Sequence, residues 1–272
     1  MADNFFDLYG LIDDLRKKNP LVQHITNYVT VNDCANATLA IGASPVMADS
    51  IAEAAQIASI ADALVINIGT LNDATIPSMF AAGKAANEKG IPIALDPVGA
   101  GASALRSQTT ARLLSELKIA ALKGNASEIR HIAGLEARSK GVDAGAGDGA
   151  ESASVAKDLA KRLGCTVVIS GPRDIISDGD KTAYIDNGHE MMGRITGTGC
   201  MCASIVGAFL GANRDEPFWG AVAAMACMGT SGDLAFDKAG ELGTGSFLAA
   251  LIDALSRANS QIIKGLTKYG EL

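Results

Sequence analysis

Four short runs of Val, Ile, Leu and Ala recur through the middle of the chain, each closed by a glycine or proline. They are Ala63-Leu64-Val65-Ile66-Asn67-Ile68-Gly69, Ile91-Pro92-Ile93-Ala94-Leu95-Asp96-Pro97, Ile119-Ala120-Ala121-Leu122-Lys123-Gly124 and Cys165-Thr166-Val167-Val168-Ile169-Ser170-Gly171. Their hydrophobicity is continuous rather than alternating. A strand of that kind is covered on both faces, which is the condition of a parallel sheet. Helical stretches lie around them, at Thr75–Glu88, Ala104–Leu117, Ala126–Glu136 and Glu151–Leu163. The β-α-β-α order predicts an α/β fold: a doubly wound, mostly parallel sheet with helices on both faces.

Two regions break the rhythm. Asp174-Ile175-Ile176-Ser177-Asp178-Gly179 followed by Thr182-Ala183-Tyr184-Ile185-Asp186-Asn187 predicts a hairpin with an Asp-Gly turn, hence an antiparallel edge. After Gly199 the pattern reads as helical to the end, through Met201–Gly211, Pro217–Gly232 and Ser246–Lys264. Ser139–Gly149 is a small-residue loop too short to link domains. With 272 residues, residues 1–272 are expected to form one domain. Only 4% of the chain is aromatic while 48% is hydrophobic, so the core must be built from Ala, Ile, Leu and Val in close packing.

A net charge of −7 and the lack of a basic block argue against nucleic acid or an anionic membrane as partner. A mean hydropathy of +0.21 raises the question of a membrane span. The longest run without charge, Ile195–Asn213, has a continuous apolar part only from Cys200 to Ala212. As a helix that part would cover about 20 Å of the roughly 30 Å a bilayer core requires. No membrane partner is expected. Met1–Asp7 lacks the pattern of a secretory signal, and the five cysteines (Cys34, Cys165, Cys200, Cys202, Cys227) are odd in number and sit mostly in apolar runs. Reduced thiols of a cytoplasmic enzyme account for that better than a disulfide framework.

In open α/β sheets ligands bind beyond the carboxyl ends of the strands, and three segments there could carry chemistry. Asp96-Pro97-Val98-Gly99-Ala100-Gly101 follows its strand directly. Asp96 could hold a metal ion while the glycines let phosphate approach the backbone. The same letters also make a good turn, and they imitate a dinucleotide fingerprint without the acid expected about 20 residues later. Lys123-Gly124-Asn125-Ala126-Ser127-Glu128 closes the next strand. Asn125 and Glu128 have the spacing of a helix capping box. Alternatively, Lys123 lies near phosphate and Glu128 helps to organise Mg²⁺, which commonly takes one or two carboxylates and keeps several waters. Third, Thr196-Gly197-Thr198-Gly199-Cys200 leads into an apolar helix. Main-chain N–H groups of Gly197, Thr198 and Gly199 at a helix start make an anion hole suited to a transferring phosphoryl group. Cys200 beside them is either a polar group for the reaction or a small buried hydrophobe.

Other chemistries lack their marks. There is no Walker A loop and no G-x-S-x-G elbow, His24, His131 and His189 are scattered, and Cys200 and Cys202 supply only half of a zinc shell.

With these segments in this order, the chain resembles the hydroxyethylthiazole kinases, which have a ribokinase-like fold. Gln23-His24-Ile25-Thr26-Asn27-Tyr28-Val29 and Gly42-Ala43-Ser44-Pro45-Val46-Met47 add to the resemblance, as does Cys200 where the wider superfamily carries an acid. The resemblance implies ATP- and Mg²⁺-dependent phosphorylation of 4-methyl-5-(2-hydroxyethyl)thiazole, for thiamine salvage. It implies that Lys123 and Ser170 contact ATP, and that Asp96 and Glu128 organise the metal. Asn27, Met47 and Gly197 would line the thiazole pocket, with Cys200 at the place of the catalytic base. It further implies a homotrimer with sites between subunits and no separate lid domain. Rival readings are an ATP-dependent dehydratase of hydrated nicotinamide nucleotides on the same scaffold, a thiazole or thiamine sensor without catalysis, and, least of all, a dinucleotide oxidoreductase.

Overall fold

The structure is a computed structural model that describes residues 7–135 and 147–272. The chain runs α1 (Gly10–Lys18), β1 (Leu21–Ile25), α2 (Val31–Ile41), β2 (Ser44–Met47), α3 (Ala54–Ile60), β3 (Ala63–Asn67), α4 (Thr75–Lys89), β4 (Ile93–Asp96), α5 (Ala104–Glu116), β5 (Ala121–Asn125) and α6 (Ala126–Ala133). It continues through α7 (Gly147–Leu163), β6 (Thr166–Ser170), β7 (Asp174–Ser177), β8 (Thr182–Ile185), α8 (Thr198–Ala212), α9 (Pro217–Ala239), α10 (Thr244–Arg257), α11 (Ser260–Leu266) and β9 (Tyr269–Glu271). Among the described residues all nine strands join one sheet in the order β2-β1-β3-β4-β5-β6-β7-β8-β9. Pairing is parallel from β2 to β6 and antiparallel from β6 to β9. No β-rich insertion stands outside this sheet among those residues.

The continuous apolar runs are covered as expected. Val65, Ala94, Ala121 and Val168 pack with α1, α2, α8, α9 and α10 on one face, while Leu64, Ile66, Leu95, Leu122 and Val167 pack with α3, α4, α6 and α7 on the other. The predicted hairpin is present, with Asp178 and Lys181 hydrogen-bonded across the turn between β7 and β8.

Several boundaries differ from the sequence reading. β1 and β2 lie outside the four apolar runs. Gln23 and His24 interrupt the apolar letters of β1, yet both are buried. The stretch after Gly199 is not wholly helical, because Tyr269–Glu271 pairs with β8 as the margin strand. α6 stops at Ala133, where Gly134 turns left-handed (φ 82°), so the expected extension toward Glu136 does not form as far as Leu135, where the first described stretch ends. α7 starts at Gly147, four residues ahead of Glu151. The expected Ser139–Gly149 loop otherwise lies outside the described residues.

Helix α8 is the central element of its layer. Thirteen of its fifteen positions are uncharged and apolar or glycine apart from Thr198 and Ser204, and from Met201 to Leu210 every residue is buried. It approaches the sheet through Gly207 and Gly211, which lie on one helix face at a spacing of four. A Cβ on Gly207 would stand 2.3 Å from Val65 Cγ2, and one on Gly211 would stand 3.2 Å from Ala63 Cβ. The missing side chains let the helix sit close enough to aim its first turn at the strand ends. Gly207→Ala is expected to destabilise the protein by about 1–2 kcal/mol, because overpacking outweighs the roughly 1 kcal/mol alanine gains in helix propensity. A fall in the thermal-unfolding midpoint would report it; an unchanged midpoint would mean that α8 moves off the sheet at no cost.

Candidate active site

The strand residues expected to carry chemistry share one edge of the parallel sheet. Met47 ends β2, Asp96 ends β4 and Ser170 ends β6, while Lys123 lies in β5 and Asn27 follows β1 by two residues. Register keeps them level: Met47 pairs with His24, Asn67 with Asp96, and Asn125 with Ser170. The start of α8 reaches this edge from far along the chain. Lys123 Nζ donates to the Gly199 carbonyl at 3.2 Å, and the Asn27 Nδ2 amide donates to Cys200 Sγ at 3.2 Å.

Gly197 is required where it stands. It caps α8 in the left-handed region (φ 91°), and a Cβ there would meet Thr30 Cγ2 at 2.7 Å. No side chain caps this helix end, so the N–H groups of its first turn are free of helical acceptors. Free amides at a helix start, with the helix dipole behind them, are the kind of group that can take an anion. Beside it opens a cavity of about 460 Å³ lined by Lys123, Ser170, Thr198 and Gly199. The Ser170 hydroxyl donates to the Gly124 carbonyl at 3.3 Å, which orients it at the same rim.

Charge is buried here on a scale that needs an explanation. Asp96 is 2% exposed and Lys123 is 4% exposed. Burial pushes the Asp96 carboxyl well above the usual carboxylate range; Lys123 draws it back, Glu128 raises it further, and the hydrogen bond from Asn67 lowers it. Burial also works against the charge on Lys123, but the negative groups around it, Asp96 foremost, hold its pKa above the ordinary lysine value. Asn67 is the one hydrogen-bond donor to the Asp96 carboxylate among the described residues, at 2.7 Å.

The capping-box reading of Asn125 and Glu128 holds: the Glu128 N–H donates to Asn125 Oδ1 at 2.9 Å, and the Asn125 N–H donates to Glu128 Oε2 at 2.8 Å. The other carboxylate oxygen, Oε1, accepts from the Gly99 N–H at 2.8 Å. Glu128 therefore ties the glycine turn after β4 to the start of α6, and its carboxylate lies between the two segments singled out for phosphate and metal. The cap and the charge coexist in one side chain.

The histidines take separate places, and four of the five cysteines are interior. His24 is fully buried and desolvation lowers its pKa to about 4, so the ring is neutral between Val22 and Thr38. His131 meets Ser107, and His189 stacks on Phe236. Cys34, Cys165, Cys202 and Cys227 are buried, whereas Cys200 is half-buried at the edge.

Two residues that sequence reasoning passed over belong to the site. Asn67 ends β3 and touches Asn27, Asp96 and Cys200. Asp174 begins β7, accepts the Gly171 N–H at 3.0 Å and lines the cavity. The signal for Asn67 was a lone polar letter in an apolar run at a strand end; Asp174 stands after Gly171-Pro172-Arg173 at the head of β7 and carried no such mark.

Residues 12–261 match the hydroxyethylthiazole kinase family. The chain belongs to that family. The hydroxyethylthiazole kinase of Clostridium beijerinckii is 56% identical over 267 residues, spanning 97% of this chain and 96% of that one. A solved hydroxyethylthiazole kinase structure from Pyrococcus horikoshii OT3 superposes with a TM-score of 0.89 at 39% identity, covering 97% of this chain and 98% of that one. The pyridoxal kinase of Staphylococcus aureus, solved with AMP-PCP and pyridoxal, shares the fold at a TM-score of 0.58 and 16% identity, over 79% of this chain and 87% of that one. The fold is thus the ribokinase-like one, and the chain is a phosphotransferase of the hydroxyethylthiazole kinase family.

Within this family member, Asp174 gives a pH test of the site's buried charge. Burial raises its pKa from 3.8 to about 7, against the opposing pull of the Gly171 N–H and Lys123. The folded state holds this proton more tightly than the unfolded chain does, so Asp174 subtracts stability as pH climbs through that window. Asp174→Asn keeps an oxygen for Gly171 and cannot ionise. Its unfolding midpoint relative to the parent protein is expected to rise progressively from about pH 4 to about pH 8. A difference that stays constant over the range would show that Asp174 titrates alike in both states.

Proposed function

We propose that this chain transfers the γ-phosphoryl group of ATP to the hydroxyl of 4-methyl-5-(2-hydroxyethyl)thiazole, with Mg²⁺, as a step of thiamine salvage. The observation that carries the reading is the meeting at one sheet edge of the Gly197–Cys200 helix start, the buried Lys123 and the Asp96–Glu128 pair. Membership of the kinase family favours this transfer over the dehydratase and sensor readings.

The donor set suits a hydrated divalent cation. Asp96 is a buried carboxylate with a single hydrogen-bond donor, and Glu128 adds negative charge close by. A cation held by Asp96, with Glu128 acting directly or through water, would stabilise the charge that burial disfavours. When bound, Mg²⁺ would neutralise phosphate oxygens during transfer.

The chain's own groups supply the rest. The first-turn amides at Gly197, Thr198 and Gly199 would face phosphate oxygens, and Lys123 and Ser170 at the cavity rim would contact ATP. Asn27, Met47 and Gly197 would line the thiazole pocket; the polarisable thioether of Met47 suits a flat sulfur heterocycle. Cys200, half-buried at the head of α8, would orient the attacking hydroxyl or take its proton late, since a loose transition state needs little early deprotonation. Residues 1–272 would act as one catalytic unit in the cytoplasm, a location supported by five cysteines that are all free thiols. Tyr28, Val29 and Ile51, exposed by 76%, 54% and 57% beside the ends of β1 and β2, favour a homotrimer that covers this rim.

Incubation with ATP, Mg²⁺ and a panel of small alcohols, read by mass spectrometry, is expected to give the thiazole phosphate. Phosphorylation of other alcohols but not this one would reject the assignment. Asp96→Asn is expected to raise the Mg²⁺ concentration needed for half-maximal rate by about tenfold or more, as lost charge-assisted metal contacts do. An unchanged Mg²⁺ titration would remove Asp96 from the metal site.

A further inference from the structure

Asn67 is 1% exposed, and every hydrogen-bonding position of its carboxamide is filled. The Gly69 N–H can only donate, and it meets one terminal atom of Asn67 at 2.9 Å, so that atom is Oδ1 and the other is Nδ2. Asn27 is fixed in the same way, since the Thr30 N–H donates to its Oδ1 at 3.1 Å. Two backbone amides thus orient two side-chain amides. Asn27 Nδ2 donates to Asn67 Oδ1 at 3.0 Å and to Cys200 Sγ at 3.2 Å. Asn67 Nδ2 donates to Asp96 Oδ2 at 2.7 Å and also to Cys200 Sγ at 3.2 Å.

The Asn67 nitrogen has two hydrogens, one for each of these last partners. Asp96 comes from β4 and Cys200 from α8, 104 positions further along the chain, and one atom joins them. We infer that Asn67 is a positioning residue for phosphoryl transfer, holding the Asp96 carboxylate and the Cys200 sulfur at a fixed separation. The inference rests on the activity proposed above. One of its two partners faces the cation and phosphate, and the other faces the alcohol. Their separation therefore sets how the two reactants meet, and geometry of that kind acts on the rate of the bound complex more than on binding.

Asn67→Asp and Asn67→Ala test it. Asp keeps the size and the acceptor for Gly69 and Asn27; beside the buried Asp96 the two carboxyls share one proton at most, which leaves no hydrogen for Cys200. Both variants are expected to lose about thirtyfold in kcat, the scale of one hydrogen bond to a charged group, with KM for the thiazole alcohol changing by less than about threefold. Crystal structures of the ligand-free variants are expected to show the Asp96 or Cys200 side chain displaced. The inference is overturned if Asn67→Asp keeps kcat within about twofold, if only KM moves, or if both side chains stay in place. Failure of both variants to fold would also overturn it, in favour of a purely structural role. If the parent protein makes no thiazole phosphate, the proposed activity fails, and the crystal comparison still decides whether Asn67 holds the two groups.

Discussion

Ionisable groups held away from water at the carboxyl edge of the sheet are the constraint to which the rest of the structure answers. Asp96, Lys123, Glu128 and Asp174 are all buried within a few residues of a strand end. A buried charge is tolerable only with partners of opposite sign or with hydrogen bonds. Lys123 answers Asp96 electrostatically and is anchored on the Gly199 carbonyl, while Glu128 and Asp174 take backbone N–H groups. The balance is incomplete on the carboxylate side: burial still holds Asp96 and Asp174 above their ordinary range. Short of positive charge and next to free amide hydrogens, this edge has the balance that the proposed cation and phosphate would complete.

That arrangement follows from the fold. Parallel strands send all their carboxyl ends to one side, so residues scattered from Asn27 to Ser170 come to one edge. The antiparallel strands β7 to β9 extend the sheet on one flank and bring Asp174 back to the same edge. Helix α8 supplies what strands cannot, a set of unpaired N–H groups. It does so because Gly207 and Gly211 let it lie close on β1 and β3 and because Gly197 turns the chain into it.

The four inner strands and the main helices were legible because continuous apolar runs are a strong pattern. β1 was hidden by Gln23 and His24, whose burial depends on partners such as the Ala48 and Ala54 carbonyls for Gln23, which no local pattern reveals. β9 was hidden by its three-residue length, as its pairing with β8 depends wholly on tertiary contact. At the candidate site, the gathering of Asp96, Lys123, Glu128 and the Gly197–Cys200 turn at one edge was legible from their position after strands and before helices. Asn67 was not. An asparagine inside an apolar run has no meaning until its partners, which come from β1, β4 and α8, are in place. Glu128 satisfies the helix cap with one oxygen and accepts the Gly99 N–H with the other at the same edge, a contact that the capping spacing alone does not announce.

The two margins of the sheet carry a further implication. A nine-stranded sheet has two outer ribbons of unpaired main-chain groups, the usual template for runaway polymerisation. Here one ribbon is the four-residue β2, in which Pro45 has no N–H to offer, and the other is the three-residue β9. Among the described residues both margins are short, and the first lacks one donor, which makes either a poor template for backbone pairing with a second copy.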